Sequence, residues 1–319
     1  MNNSRQTVYL TNLSHPLLRI DEDMDGNPVA LMDLTNVLQP NENITYEVAY
    51  TVVLKPYPKP NISENLSGSL NEISESYRSL YCVPNGPWLL NHTDLIGLAF
   101  ELAGEEKNVL KILSSFIRWI NENIRYGSDE VPRYPNETLI EKVGDCDDQA
   151  NLLISLCRIV GIPAYLQIGC IYLPGRQPLV LRYWGGSLIL NLTRIGWHGW
   201  AMVYVPPWGW LPVDLTYVIG DGIYKDPLNA IRNSALFTQP TVQYANVTKY
   251  NYVGETRYMR DYLTTWNFQI IESDEMVEES VMQTTGFPSM EVRILSALVI
   301  CLATFIAKEP KLSFSRSPS

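Results

Sequence analysis

The N-terminal part of the chain alternates apolar and polar residues. The segments "TVYLTNL", "PVALMDLT" and "ITYEVAYTVVL" have a period of two and are rich in β-branched and aromatic residues. The following "KPYPKPN" interrupts any sheet, because proline lacks a backbone donor. The pattern predicts a small antiparallel β domain over residues 1–61 and a Ser/Asn-rich connecting segment over residues 62–90.

The next pattern is helical. In "NVLKILSSFIRWINENIRY", apolar residues recur at steps of three and four from Val109 to Ile124, which is the spacing of one helix face. We expect this face to be core. Beyond Pro163, "AYLQIGCIYL" and "SLILNLT" predict short strands. Residues 226–289 have no pattern that predicts an element, and we treat them as a C-terminal extension.

A second helix is predicted within "GDCDDQANLLISLCRIVGIPA". Asp145 can cap its start, with Asp148 at the third helical position. Gly161 and Pro163 end it. Cys146 therefore lies at the first helical position, where backbone N–H groups and the helix dipole stabilise an anion.

The segment "WHGWAMVYVPPWGWLPVDLTY" predicts two strands joined near "PPWG". Because side chains alternate along a strand, a four-residue connection would put His198 and Asp214 on opposite faces. A connection of odd length, or a bulge, puts Trp200 opposite Asp214 and brings His198 to the same face. We predict such a connection.

The C-terminal pattern suggests a membrane segment. Residues 294–307, "ILSALVICLATFIA", have no charge, and as a helix they span about 21 Å, short of the ~30 Å hydrocarbon core. Extension to Met290 adds length but includes Glu291 and Arg293. The basic tail over residues 308–319 fits a cytoplasmic flank. We predict a transmembrane anchor over residues 290–307, with a buried terminal helix as the alternative.

Composition limits the classes of function. The chain has 319 residues, a net charge of −10 and a pI near 4.9. This argues against a nucleic-acid binder, since such proteins usually present a basic surface. The five cysteines and three histidines match no zinc-site spacing, so we expect neither a metal nor another cofactor. The odd, sparse set of cysteines predicts no disulfide framework, and the sequence leaves a single bridge open without assigning its partners.

Asn-x-Ser/Thr sequons are frequent, with nine occurrences against about three expected from the Asn, Ser and Thr content. The acceptor positions are Asn2, Asn12, Asn43, Asn61, Asn65, Asn91, Asn136, Asn191 and Asn246. This excess indicates an exported, glycosylated chain. Together with the C-terminal segment it predicts a protein of the cell membrane whose body lies outside the cytoplasm. A generic Asn- and Thr-rich surface is the alternative.

Three central residues fit nucleophilic cysteine chemistry, which needs a thiolate, a base and a group that orients the base. Cys146 supplies the thiol, His198 is the only histidine after it, and Asp214 follows in the second strand of the hairpin. We expect the helix start and a charged His198 to favour the thiolate, because water would screen the opposing aspartates. A structural cap at Cys146 is the alternative.

The same residues resemble the transglutaminase-like superfamily in its microbial branch. The shared motifs are Gly-Asp-Cys at 144–146, Gly-Ile-Pro-Ala at 161–164, His-Gly-Trp at 198–200, "GWLPVDLT" at 209–216, and "WINENIRY" ahead of the nucleophile segment. The resemblance covers residues 90–220. Ala201 and Met202 stand where relatives often have Val-Glu, and Leu215 stands where Pro is common. Neither departure touches the three reactive side chains.

The resemblance implies an α+β fold. Its papain-like transglutaminase core, over residues 91–225, would pack the nucleophile helix on an antiparallel sheet, preceded by the small β domain. Cys146 would be the nucleophile, His198 the general base and acid, and Asp214 the group that orients it. The backbone N–H of Cys146 would be one oxyanion donor.

These inferences predict a surface enzyme that attacks amide bonds of proteins or peptides and forms a thioester at Cys146. Water would then complete hydrolysis, which we favour, whereas an amine would complete acyl transfer. Trp200 and Trp208 are expected to line the substrate cleft. The alternatives are a non-catalytic binding or envelope module, and amidase chemistry on N-linked glycans, for which a related family uses the same triad.

Overall fold

A computed structural model of the chain describes residues 1–34, 39–55, 58–279 and 290–296. The strands in these ranges are β1 Gln6–Leu13, β2 Leu17–Glu22, β3 Pro28–Met32, β4 Val48–Leu54, β5 Arg125–Tyr126, β6 Val143–Gly144, β7 Ala164–Tyr172, β8 Leu179–Tyr183, β9 Leu188–Thr193, β10 Ile195–Val205, β11 Gly209–Val213, β12 Thr241–Val247, β13 Ile270–Glu279 and β14 Met290–Ser296. The α-helices are α1 Glu75–Tyr81, α2 Thr93–Ala103, α3 Val109–Asn123, α4 Pro135–Glu141, α5 Cys146–Ile159, α6 Asn229–Arg232, α7 Ala235–Thr238 and α8 Tyr252–Thr265.

The sheet that holds the candidate site has four antiparallel strands in the order β11-β10-β7-β12. Helix α5 packs across β10 and β7. Strand β7 has a neighbour on each side, and all but one of its residues are buried, as expected for a strand that is covered on both faces. The predicted α+β core, a nucleophile helix packed on an antiparallel sheet, is confirmed.

The main hydrophobic core lies where α2, α3 and α5 pack on one another and on this sheet. Asn108 is the N-cap of helix α3, and its side chain accepts a hydrogen bond from the Lys111 N–H at 3.0 Å. Its predicted stripe is buried, with members Val109, Ile112, Leu113, Phe116 and Ile120. Each such side chain contributes roughly 1.5–3 kcal/mol when it leaves water, so this stripe fixes α3 against α5.

A second sheet has six strands in the order β1-β4-β14-β13-β9-β8. A smaller apolar cluster, which includes Cys170 of β7, Ile195 of β10 and Met276 of β13, packs the two sheets together. The division of the chain at residue 61 stays a prediction. Strands β1 and β4, however, share their sheet with strands from the central and C-terminal parts of the chain.

Residues 290–296 form β14 between β4 and β13, so the prediction that a membrane helix begins at residue 290 is wrong. The sequence "MEVRILS" alternates apolar and polar residues over its first five positions, which is the period of a strand. Two flanking strands pair with its backbone. Residues 297–307 lie outside the described ranges, and their assignment to an anchor stays a prediction. No helix within those ranges is long and apolar enough to cross a membrane.

Two segments without predicted elements are structured. Residues 62–90 contain α1, and residues 226–289 contain α6, α7, β12, α8 and β13. Strand β12 pairs with β7 on the side opposite β10, so the extension completes the sheet that holds the candidate site. Helices of four residues and the polar sequence "TVQYANV" of β12 leave little periodic signal.

Candidate active site

Helix α5 begins at the predicted residue. Cys146 is its first residue and Asp145 is its N-cap. The Asp148 carboxylate accepts hydrogen bonds from the backbone N–H of Asp145 at 3.3 Å and of Arg133 at 2.6 Å. It also forms an ion pair with the Arg133 guanidinium at 3.1 Å. These contacts fix the first turn of α5 and with it the direction of the Cys146 side chain.

His198 and Asp214 meet as the hairpin geometry predicted. Strands β10 and β11 pair up to Val205 opposite Gly209, which leaves residues 206–208 as a three-residue connection. The imidazole Nε2 of His198 lies 2.9 Å from Oδ2 of Asp214. Both residues are buried, with 8% and 1% of their surfaces exposed. The odd-length connection and the shared face are confirmed.

Backbone donors hold the Asp214 carboxylate. Its Oδ1 accepts from the N–H groups of Thr216 at 3.2 Å and Tyr217 at 2.9 Å, and its Oδ2 accepts from the N–H of Ala235 at 3.4 Å. Because the Asp214 oxygens already act as acceptors for these backbone groups, Nε2 of His198 is the donor in the contact between the two side chains. Among the described residues no hydrogen bond is made by the other ring nitrogen, Nδ1, which is then free to accept a proton.

Cys146 lies beside the same strand. Helix α5 packs on β10, and the backbone N–H of Gly199 donates a hydrogen bond to the Cys146 thiol. A side chain at position 199 would place its Cβ 3.1 Å from the Cβ of Asp147. The glycine therefore allows the start of α5 to approach the residue that follows His198.

The surroundings of Cys146 disfavour its thiolate. Burial, followed by the charges of Asp147 and Asp145, raises the pKa of the thiol well above its usual value, and the hydrogen bond from Gly199 opposes this only in part. The Cys146 sulfur and one carboxylate oxygen each from Asp145 and Asp147 all lie within 4.8 Å of one another. The expectation of a resting thiolate is wrong, because desolvation and the two aspartates beside the sulfur outweigh the backbone donor at Gly199.

The neighbouring carboxyl groups also bind protons. Burial and the charge of Asp147 raise the pKa of Asp145 to about 9. Burial and Asp147 raise the pKa of Asp148 to about 6, which is less because the N–H and guanidinium of Arg133 oppose the shift. At the start of α5, both the Cys146 thiol and the Asp145 carboxyl are therefore biased toward their protonated forms.

Trp200 lies beside His198, with the ring centroids 5.8 Å apart, but only 1% of its surface is exposed. A Cβ at Gly169 of β7 would lie 2.6 Å from the Trp200 ring, so glycine makes the room for it. Trp200 packs against the imidazole and does not line an open cleft. Trp208 lies in the three-residue connection at the other end of the hairpin and packs on the main core. The structure does not bring it to Cys146.

Two tyrosines near the thiol were not identified from the sequence as site residues. Tyr126 lies in β5, opposite Gly144 of β6. Burial and the charges of Cys146 and Asp145 raise its pKa. Burial and the charge of Asp145 also raise the pKa of Tyr183. Tyr126 ends the motif "WINENIRY", which could have pointed to it, whereas nothing in the sequence singles out Tyr183.

Comparison with known proteins finds a matching family and similar solved structures. A family model described as the transglutaminase-like superfamily matches residues 96–215, and no curated protein sequence matches. A solved structure of a candidate cysteine protease from Cytophaga hutchinsonii matches at 18% identity and a TM-score of 0.45, over 79% of each chain. A candidate protease from Parabacteroides distasonis matches at 11% identity and a TM-score of 0.30, over 92% of this chain and 63% of its own. Residues 96–215 of this chain are a domain of the transglutaminase-like superfamily.

Proposed function

We propose that this protein is a cysteine amidase or peptidase that acts on amide bonds of proteins or peptides. The observation that most directly supports this is the buried His198–Asp214 pair at 2.9 Å, with His198 on β10, the strand that packs against the helix beginning at Cys146. Cysteine acyl-transfer chemistry requires this set of groups: a thiol, a base and a carboxylate that orients the base.

The reaction starts from the neutral thiol. Nδ1 of His198 takes the Sγ proton while the sulfur electron pair forms a bond to the amide carbonyl carbon, and the π electrons move to oxygen. The imidazolium then passes this proton to the amide nitrogen, the C–N bond breaks, and the amine leaves a thioester at Cys146. Water attacks the thioester with His198 again as base, and cleavage of the C–S bond restores the thiol.

Each tetrahedral intermediate carries a negative oxygen that needs donors. The N–H of Cys146 belongs to the first turn of α5, where backbone donors have no partner within the helix. We assign the second donor to the Tyr126 hydroxyl, since β5 pairs with β6 immediately before Cys146, and burial and the charge of Cys146 raise the pKa of this tyrosine. Together they complete the set of groups that acyl transfer needs.

The thioester can also be resolved by an amine, which would make the protein an acyltransferase. Both outcomes share the same intermediate, so the residues at the site favour neither. Hydrolysis is the simpler outcome because it needs no second binding site. A test that separates them must detect both products.

A specific observation favours a second candidate, a non-catalytic binding module. The raised pKa of the Cys146 thiol means that little thiolate is present at neutral pH. An unactivated thiol would suit a domain that keeps the fold without turnover. The two candidates differ in one respect that can be measured, the formation of a thioester at Cys146.

Hydroxylamine provides this test, because it converts a thioester into a hydroxamate. The protein is incubated with hydroxylamine and either carbobenzoxy-glutaminylglycine or a peptide pool from casein, and products are identified by mass spectrometry. We expect hydroxamates and new peptide ends from the wild type and none from Cys146→Ala or His198→Ala. An inactive but folded wild type would favour the binding module. Labelled cadaverine in place of hydroxylamine reports acyl transfer.

The chain is exported and glycosylated in this proposal. Six sequon acceptors are exposed and available to an oligosaccharide: Asn2, Asn12, Asn43, Asn61, Asn65 and Asn91. Asn191 is less accessible, since its side chain donates to Ser273 at 3.0 Å. A mass decrease on treatment of the native protein with a glycan-releasing amidase would support export. An unmodified mass would leave the frequent sequons as a compositional feature.

A further inference from the structure

Asp147, the residue after the candidate nucleophile, is held in place by α8. Its Oδ2 accepts a hydrogen bond from the Tyr252 hydroxyl at 2.6 Å, and that hydroxyl accepts one from the side-chain amide of Asn151 at 2.5 Å. Tyr252 and Asn151 are 3% and 0% exposed. With so buried a partner, the Asp147 carboxylate cannot turn into water as a surface aspartate does.

The other carboxylate oxygen faces the thiol. Oδ1 of Asp147 lies 4.0 Å from Sγ of Cys146. The Cβ of Asp147 packs against Gly199 of β10, where an added Cβ would approach it to 3.1 Å. Asp147 therefore lies between the start of α5 and the strand that holds His198, with one oxygen directed at the sulfur.

The groups around the thiol come from several elements. Asp145 and Asp147 face it from α5 and its cap, Asp214 from the end of β11, and Tyr126 from β5. Gly199 of β10 contributes the opposing N–H, next to the imidazole of His198. After burial, Asp147 raises the pKa of Cys146 more than any of the other charged groups.

We propose that Asp147, fixed by Tyr252, is a positioning residue that keeps Cys146 as the neutral thiol until its proton passes to His198. This inference rests on the proposed function and adds a mode of activation to it. Proton transfer and attack occur together, instead of starting from a standing thiolate–imidazolium pair. The resting sulfur is then a poor target for alkylating agents and peroxides, because the thiolate is the reactive form.

Alkylation by iodoacetamide tests this without any substrate. The rate of modification of Cys146, followed by peptide mass spectrometry, is measured against pH for the wild type and Asp147→Asn. We expect the midpoint of the profile to fall by about one pH unit in the variant, and the rate at pH 7 to rise about tenfold, because one pKa unit is a tenfold change in thiolate population. Tyr252→Phe should shift the midpoint in the same direction by less, since the Asp147 carboxylate is still present but can turn toward water.

Asp94→Asn is the matched control. It removes an exposed carboxylate from the first turn of another helix, α2, which within the described ranges makes no hydrogen bond or ion pair with the Cys146 segment. We expect its midpoint to equal that of the wild type. Thermal unfolding of each variant shows whether the fold is intact, and a purely structural role for Asp147 would change stability without moving the midpoint.

An unchanged midpoint in Asp147→Asn would overturn the inference. If that variant does not fold, an unchanged midpoint in Tyr252→Phe has the same meaning. The proposed function fails separately: a shifted midpoint in a protein that forms no hydroxamate supports the role of Asp147 and rejects the amidase. Hydroxamate formation with an unchanged midpoint supports the amidase and rejects this role.

Discussion

At the scale of residues, the orientation of His198, the proposed base, depends on how the Asp214 carboxylate is held. Asp214 accepts three backbone N–H groups besides the imidazole, and both of its oxygens are used. In Asp214→Asn, an NH₂ group replaces one of the two oxygens. That group must face either the backbone N–H donors or Nε2 of His198, and it can accept a hydrogen bond from neither. The proton on His198 would then have no acceptor at Nε2, and the ring would lose the tautomer that leaves Nδ1 to accept a proton.

Asp214→Asn should therefore lower the rate of hydroxamate formation by about 10³ to 10⁴, the size of effect seen when a triad carboxylate is replaced by its amide. The rate is measured with saturating substrate for each variant. The control is Asp221→Asn, which removes an exposed carboxylate paired with Lys225 at 2.7 Å and should keep the wild-type rate. A loss of less than tenfold in Asp214→Asn would contradict the role given to this residue.

At the scale of elements, the site depends on how closely α5 approaches β10. The contact is made at Gly199, between His198 and Trp200, where the Cβ of Asp147 fills the space that a side chain would need. The hydrophobic stripe of α3 and the buried face of α5 hold the helix from the other side. A displacement of the helix start would move the sulfur relative to the imidazole.

Gly199→Ala tests this approach. Its Cβ would lie 3.1 Å from Asp147, so the start of α5 must shift by a few tenths of an ångström. We expect the rate of hydroxamate formation to fall by about tenfold, since displacements approaching 1 Å cost about 10²-fold. Gly97→Ala is the control: an added Cβ there meets nothing within 4 Å, and α2 should gain about 0.5–1 kcal/mol. A wild-type rate in Gly199→Ala would show that the contact tolerates a methyl group.

At the scale of the whole molecule, buried acids lie where the two sheets meet. Glu272 and Asp274 of β13 are 8% and 1% exposed, and Trp197 of β10 donates its indole N–H to Asp274 at 2.8 Å. Burial and the charge of Asp274 raise the pKa of Glu272 to about 9. Ionisation of Glu272 is therefore less favourable in the folded protein than in the unfolded chain.

The free energy of unfolding should fall with rising pH because of Glu272. Above pH 4.5, the ordinary pKa, the unfolded chain has released the Glu272 proton, whereas the folded chain still holds it. The contribution of this proton to the free energy of unfolding is therefore complete below pH 4.5 and is lost as the pH rises toward about 9. Glu272→Gln removes this dependence. Urea unfolding at pH 5 and pH 8.5 should show the variant gaining stability over the wild type at the higher pH. An equal difference at both values would contradict the assignment.

The position of β14 makes a prediction about truncation. Because β14 lies between β4 and β13, removal of residues after 289 should split the six-stranded sheet. We expect a fall in the thermal midpoint of several degrees, and aggregation through the exposed strand edges. Truncation after residue 296 keeps β14 and is the control. Equal stability of the two truncated chains would mean that β14 adds little. Release of the second chain from the membrane fraction would support an anchor beyond residue 296.

The sequence could predict the parts of the molecule that follow from short-range rules. The N-cap at Asp145, the stripe of α3 and the shared face of His198 and Asp214 come from helix periodicity, capping chemistry and strand parity. The raised pKa of the Cys146 thiol could not be predicted, because it depends on burial and on Asp147, which Tyr252, far along the chain, holds beside the sulfur.

Long-range pairing explains the remaining differences. The segment predicted as an anchor, residues 290–307, is largely apolar, and only the pairing of its first residues with β4 and β13 shows residues 290–296 to be a strand. Strand β12 likewise has a weak pattern of its own and is defined by its partner β7. Local sequence contains no information about these partners.

The family match ends at residue 215, yet Asp214 accepts a hydrogen bond from Ala235 and β7 pairs with β12. The three candidate site residues, Cys146, His198 and Asp214, therefore lie inside the matched segment, while part of their support lies beyond it. A recombination event that transferred residues 96–215 alone would carry the chemical groups into a new gene without the chain that holds them. A segment that could be inherited with the site intact must extend at least to α8, because Tyr252 of that helix holds Asp147 beside Cys146.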